Sequence, residues 1–478
     1  MILRRIWVWL LAVGFVSVPI TTLRAAEAPA EHPKAAAAES PQPEKDAAKE
    51  AKEKADKQAV KDEAEFYDLY KALADTVDQV DRNYVKKVDR RELMEAAIKG
   101  VLSKLDPYSS YIPPADAEHF KDTVENQFGG IGIQITMDEN QLKILSPLVG
   151  TPGYKAGLLA GDRITKIGDE STTNLSLDEA VHKLKGDAGS NVKLTVIHPG
   201  TSKPQTVSVT REVIHIDTVL GDRRKSDDNW DFMLDPDKRI GYIRITTFSR
   251  DTAQDLKKAM EELKGRKLKG LVLDLRFNPG GLLTSAVDTC DMFLTGGRIV
   301  STEGRNTPKK TWDAAKKTNA FSGFPMAILV NHYSASASEI VSACLQDHHR
   351  AVVVGERTWG KGSVQNVIEL EDGKSLLKLT TASYQRPNGH NIHRFPDSKD
   401  SDEWGVSPSP GYEIKMSDAE MAELLAERRD RDIVAGKKSE SKPTDRDADA
   451  SRNGNHQFAD RQLQKALDYL DSELAKAP

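Results

Sequence analysis

A serine among small residues, a lysine between glycines and a double glycine after an apolar run are the parts of this chain that can do chemistry. The serine lies in Asn331-His332-Tyr333-Ser334-Ala335-Ser336-Ala337-Ser338-Glu339. There an apolar, strand-type run ends, and a helical pattern begins with Ile340, Val341, Cys344 and Leu345 on one face. An oxygen at such a helix N-terminus sits where free N–H groups and the macrodipole favour negative charge. Ser336 with Glu339 three residues on also fits a capping box, and taken alone that structural role is the stronger reading. The lysine lies in Gly355-Glu356-Arg357-Thr358-Trp359-Gly360-Lys361-Gly362-Ser363-Val364-Gln365. This nearly spells a phosphate loop, but Gly362 stands where a Ser or Thr must hold magnesium, so nucleotide binding is set aside. An amine in apolar surroundings is desolvated instead, which lowers its pKa and makes it a general base. Serine with lysine is a recognised nucleophile–base pair. The double glycine ends Asp274-Leu275-Arg276-Phe277-Asn278-Pro279-Gly280-Gly281, a strand-to-helix turn whose N–H groups can face a developing oxyanion.

Histidines offer weaker alternatives. His332 lies four residues before Ser336, on the exiting strand, with no aspartate placed to orient it. His348-His349, and His390 with His393, lack a Cys or carboxylate cluster, so they read as exposed histidines rather than metal ligands.

The elements that must position these groups follow from periodicity. From about 214 to 415, buried-type strands at 240–245, 270–275, 326–330 and 351–354 alternate with helices starting near Thr252, Leu282 and Ser336. Such alternation argues an α/β core. Residues 128–213 read as a small β-rich module, with strands at 130–136, 142–145, 163–167, 192–198 and 206–210 and a helix near 176–184. From 65 to 128 the pattern is helical. Phe66, Leu69, Tyr70, Leu73, Val77, Val80 and Tyr84 form one face, expected to be core. Asp89 and Glu92 resemble a capping box opening a second helix, which Asp106-Pro107 stops. Residues 27–63, rich in Ala, Lys, Glu and Pro, read as a linker with a helical end. Beyond 417 the chain is charged and helical at both ends, with 428–455 as a flexible connection. That tail either mediates assembly or is a solvated helix.

Composition narrows the class. A chain of 478 residues exceeds one core and implies several domains. Its 68 basic and 73 acidic residues nearly balance, which gives no electrostatic footing for a nucleic-acid partner. The two cysteines, Cys290 and Cys344, sit in apolar helical surroundings and read as buried thiols. Arg4 and Arg5 precede an apolar run over residues 6–20, a secretory signal pattern too short to span a membrane comfortably. Ala28-Pro29-Ala30, or Ala25, marks the cut, and retention as a membrane anchor stays open. Either way the bulk of the chain is expected outside the cytoplasm, in the periplasm or cell envelope.

Two resemblances add to this reading. Phe128-Gly129-Gly130-Ile131-Gly132, Pro152-Gly153-Tyr154-Lys155-Ala156-Gly157-Leu158 and Gly161-Asp162-Arg163-Ile164 resemble a PDZ domain. PDZ domains add a peptide strand to a sheet edge and hold its terminal carboxylate on loop N–H groups. By that resemblance Phe128, Gly129, Gly130, Ile131 and Gly132 form the peptide-binding loop. Together with the helices before it and the three chemical segments after it, residues 65–415 resemble the carboxyl-terminal processing, or tail-specific, proteases. The resemblance implies Ser336 as nucleophile, Lys361 as base, Gln365 orienting the lysine, and N–H groups of Gly280 or Gly281 and of Ala337 as the oxyanion hole. Some members carry an aspartate at the position of Asp347. Eleven helical residues advance about 16 Å, so Asp347 is read as structural support.

The chain departs from the family at His332-Tyr333, Phe277, Trp359 and Arg386-Pro387-Asn388-Gly389, none of which removes a catalytic group. The expected architecture is multidomain α+β. It runs from a signal peptide or anchor (1–30) through a low-complexity linker (31–63), a helical N-terminal region (64–127) and a PDZ module (128–213). An α/β crotonase-like serine protease core (214–416) and a charged helical tail (417–478) follow. The expected function is a serine endopeptidase acting on protein or peptide substrates with accessible C-termini, without metal or cofactor, with homo-oligomerisation left open. The alternatives are a catalytically inert PDZ scaffold and an ester or acyl hydrolase.

Overall fold

Strands Ile240–Ile245, Gly270–Asp274 and Met326–Val330 are buried along their whole length. Continuous apolar runs of this kind belong to parallel strands covered on both faces. A computed structural model describes residues 42–315, 321–434 and 458–476, so the signal segment and its cleavage sites lie outside the described residues. The three strands pair in parallel, Tyr242 beside Val272 and Leu273 beside Ile328, and Val352–Gly355 extends them with Val354 beside Leu329. Side-chain alternation divides the sheet into two faces. Ile243, Ile245, Leu271, Leu273, Ile328 and Val330 share a core with helices Thr252–Gly265, Leu283–Phe293 and Ala337–Asp347. Ile240, Tyr242, Val272, Ala327 and Leu329 pack instead against Ala466 and Leu470 of helix Arg461–Lys476. An antiparallel sheet of Ser363–Leu370, Ser375–Gln385, Gly297–Gly304 and Thr307–Ala314 stands beside this core. Cys290 and Cys344 are free, buried thiols on adjacent helices, and burial pushes the Cys290 thiol up.

The tail is therefore a structural layer, not the solvated helix considered from the sequence. Fully burying a leucine such as Leu470 contributes about 1.5–3 kcal/mol. The expected flexible connection also begins too early. Arg428 lies inside helix Asp418–Asp432 and is buried, and only 435–455 of that stretch lies outside the described residues. Its charged residues have partners more than 150 residues away, Asp274 for Arg428 and Asp222 for Arg431, which local pattern cannot reveal.

Residues 127–215 build the PDZ module around Ile131, Leu142, Ile144, Leu158, Ile164, Leu194 and Val196. The expected strand over 130–136 is broken in two, Gln127–Gly130 and Ile133–Asp138. The break has a local cause. Gly132 has φ +71°, and the carbonyls of Ile131 and Gly132 turn to accept from Gly153 N–H and Leu148 N–H. Ile133–Asp138 then forms the edge of a sheet, paired on one side with Gln141–Pro147. Helix Leu177–Leu184 is capped by Ser176 and Glu179, and its Ala180 and Leu184 share a core with Ile133, Ile135 and Met137.

The chain divides at residue 113 into two units, and the N-terminal one is helical. Helix Gln42–Asn83 starts inside the stretch read as a linker, because Ala, Lys and Glu are strong helix formers even without a core. Asp89 caps Arg90–Leu102 by accepting from Arg91 N–H and Glu92 N–H. The apolar stripe is not core as expected: Phe66, Leu69 and Tyr70 are each more than half exposed. Period alone shows that a face is apolar, not what covers it.

Candidate active site

The residue before helix Ala337–Asp347 takes a conformation that non-glycine residues rarely adopt. Ser336 has φ 56° and ψ −115°. Such backbone costs of order 1–3 kcal/mol and persists only where its surroundings over-determine it. The surroundings are specific here. Ser334 and Ser338, the outer serines of the repeat, are fully buried, and their hydroxyls donate to Leu275 O and Asn278 O at 2.8 and 2.9 Å. Ser336 alone among the three is partly exposed. The elbow and the Asn278–Gly281 stretch are thereby sewn together, and Ala335 N–H also donates to Asn278 O at 3.0 Å.

Glu339 does more than cap. Its carboxylate is fully buried and accepts from Ser336 N–H at 2.8 Å, Gly360 N–H at 2.7 Å and Lys361 N–H at 2.8 Å. The Thr358 hydroxyl donates to the same carboxylate. Burial pushes the Glu339 carboxyl up, opposed by those donors. One carboxylate therefore ties the backbone of the serine elbow to the backbone of the lysine loop. The capping-box pattern signals Glu339 in the sequence, but nothing there signals its bonds to Thr358, Gly360 and Lys361.

Lys361 is 3 % exposed, and Tyr384 OH donates to its carbonyl. Gln365, also buried, stands on the following strand and donates from Nε2 to Ser363 Oγ at 2.9 Å and Thr380 Oγ1 at 3.2 Å. The glycine turn lies against the elbow. A Cβ on Gly280 would stand 2.7 Å from Ser336 Cβ, and one on Gly281 2.1 Å from Phe248 O, so only glycines fit. Gly280 N–H donates to Asn278 Oδ1 at 2.8 Å, which engages one of the three expected oxyanion donors within its own turn. Among the described residues neither Gly281 N–H nor Ala337 N–H donates to another backbone group.

Asp347 stands at the other end of the helix. It accepts from Arg386 Nε and Nη2 at 3.0 and 2.7 Å and from Asn388, which holds the 386–389 turn. His332 does have a carboxylate partner, contrary to the sequence reading: Glu356 Oε2 lies 2.6 Å from its Nδ1. Glu356 is 24 residues on and reaches His332 only through the fold. His390 pairs with Glu403, and His348 Nε2 lies 2.7 Å from Arg298 O.

In the PDZ module Phe128, Gly129 and Gly130 pair with Ile214, Val213 and Glu212, and Ile131 is core. Of the five residues expected to hold a carboxylate, only Gly132 adjoins the open edge. The edge strand Ile133–Asp138 and helix Leu177–Leu184 match a strand and a helix expected from the sequence, but neither was expected to take part in holding a peptide.

Residues 239–399 match Peptidase family S41, residues 143–197 a PDZ domain, and residues 33–116 the activating protease CtpB N-terminal domain. The chain is similar to a carboxy-terminal-processing protease of Bartonella bacilliformis, 38% identical over 376 residues, covering 77% of this chain and 83% of the relative. It is also similar to the carboxy-terminal processing protease CtpB of Bacillus subtilis, 37% identical over 317 residues, covering 66% and 64%. Among solved structures it is similar to a photosystem II D1 C-terminal processing protease, at 29% identity and a TM-score of 0.40, covering 72% of this chain and 92% of the other. The chain belongs to the carboxy-terminal processing proteases of peptidase family S41, serine peptidases that carry a PDZ domain.

Proposed function

We propose that the chain is an exported endopeptidase that captures protein C-termini on its PDZ module and cuts them with a Ser336–Lys361 dyad. The observation that carries this reading is the Glu339 carboxylate, which binds Ser336 N–H and Lys361 N–H at once. Lys361 supplies the base because it is buried and its backbone shares the Glu339 carboxylate with the serine elbow. As Ser336 Oγ attacks the scissile carbonyl, Lys361 Nζ takes the hydroxyl proton. Gly281 N–H and Ala337 N–H hold the oxyanion. The ammonium of Lys361 then protonates the leaving amine, and the same group activates the water that releases the acyl product. Gln365 orients the lysine. The tail extends the Ile133–Asp138 edge, with its carboxylate at the Gly132 turn. The basic start and apolar run of residues 6–20 support export to the periplasm or cell envelope.

Ser336→Ala and Lys361→Ala are each expected to abolish cleavage of an unstructured, tailed protein while circular dichroism and melting stay those of the parent. Cleavage retained by either folded variant sinks the dyad.

A further inference from the structure

The helix over residues 418–432 touches both working parts of the molecule. At its middle, Arg428 Nη2 donates to Asp274 Oδ2, and its guanidinium carbon stands 5.7 Å from the Phe277 ring centroid. Asp274 ends the strand, and Phe277 immediately precedes Asn278–Gly281. Phe277 is itself in the left-handed region, φ 63°, and stacks on Tyr333 at 5.6 Å. Met416, Met421 and Leu424 pack on that aromatic pair. Phe277 and Tyr333 are two of the positions at which this chain departs from its family pattern.

At its end the same helix meets the PDZ module. Val434, buried at 2 %, donates its N–H to Ser146 Oγ at 2.9 Å. Ser146 lies on Gln141–Pro147 and pairs directly with Gln134 of the open edge strand. Asp432 grips Arg244 at 2.5 and 2.7 Å, and Arg431 grips Asp222 at 2.8 Å. These bonds leave the helix little freedom to absorb a displacement at one end without passing it on.

We propose that helix 418–432 is a strut between the PDZ edge strand and the oxyanion turn, with Arg428 as a positioning residue for Gly280 and Gly281. It rests on the reading of that turn as the oxyanion hole. Arg428 touches no reacting atom; it sets where the strand ends and the turn begins. A shift of the edge strand, as a bound tail would impose, reaches the turn through Ser146, Val434 and Arg428.

The test is the second-order rate constant with which a fluorophosphonate labels Ser336 in the full-length chain. This probe has no peptide tail, so it bypasses binding at the PDZ module. A turn displaced by a fraction of an ångström costs roughly tenfold or more in such a reaction. Arg428→Met is expected to slow labelling about tenfold. Arg428→Lys is expected to recover part of that loss, and Ser146→Ala, though remote, to slow labelling about threefold or more. In peptide assays the loss falls on kcat with KM held. Labelling of Ser146→Ala at the parental rate, with parental melting, overturns the proposal even where Arg428→Met fails to fold. Gly281→Ala and Ser336→Ala separate the two readings. If these two lose labelling with parental melting while the Arg428 and Ser146 variants keep it, the strut is wrong and the oxyanion turn stands. If Gly281→Ala labels normally, the reading of the turn fails, and the strut with it.

Discussion

Ser336 and Glu339 form the same local pattern as any capped helix start, yet the structure gives them different work. The outer serines are consumed in holding Leu275 O and Asn278 O, which leaves Ser336 at the surface of the elbow. Glu339 is spent on backbone groups of two separate segments. A glutamine at 339 keeps one carbonyl oxygen and turns its NH2 toward N–H donors, so one loop must let go. Glu339→Gln is expected to lower kcat about a hundredfold with a small change in KM, since the loop it frees carries the proposed base rather than the substrate. Steady-state kinetics on a tailed peptide measure this split. A loss confined to KM contradicts the assignment.

Among elements, the strand–turn bearing Gly280 and Gly281 is held from behind by buried charge. Asp274 is fully buried and accepts from Arg276, Arg428 and Tyr242, while Arg276 also donates to Asp460 at 2.8 and 2.9 Å. Burial works against the Asp274 carboxylate, but the two guanidinium groups more than offset it and hold its carboxyl well below the usual range. Burial, with the adjacent carboxylate, pushes the Tyr242 hydroxyl up to about 12. Asp274→Asn leaves two buried guanidinium groups without that partner and is expected to cost about 3–5 kcal/mol, read by urea unfolding at pH 7. The sign with pH follows from the lowered value. The contribution of Asp274 is complete above the ordinary aspartate pKa and is lost as pH falls through the depressed folded one. The parent is therefore expected to lose its margin over Asp274→Asn on acidification below about pH 4. Unfolding curves from pH 3 to 7 test the convergence.

For the whole molecule, the proposed function puts substrate choice and chemistry on separate modules of one chain. On the proposed reading the PDZ edge strand pairs with an extended tail, and selection for a terminus rests on its carboxylate at the Gly132 turn. Amidating the C-terminus of a peptide substrate is expected to raise KM about tenfold or more, with kcat nearly unchanged. Equal KM values for the acid and amide forms would remove the tail-capture reading and leave the dyad intact. The N-terminal unit adds a different feature, an apolar stripe at Phe66, Leu69 and Tyr70 that its own helices do not bury.

What the sequence determined by itself were the features that short-range physics controls. The buried parallel strands, the glycine turn, the serine elbow and the lysine loop were legible because apolar periodicity and glycine spacing act within a few residues. Ser336, Lys361 and Gln365 suggested themselves as a set only because three motifs occurred in order; Ser336 alone read as a cap. The tertiary structure decided what depends on residues far apart. Whether the stripe of the N-terminal helix is covered depends on what packs against it, and helical period carries no such information. The tail became a layer of the core because Leu470 and Ala466 find a sheet face more than 100 residues earlier in the chain. Glu356 reached His332, and Glu339 reached Lys361, across 24 and 22 residues. The serine and lysine motifs were thus readable from local pattern, whereas the single carboxylate that joins their backbones exists only once the chain has closed on itself.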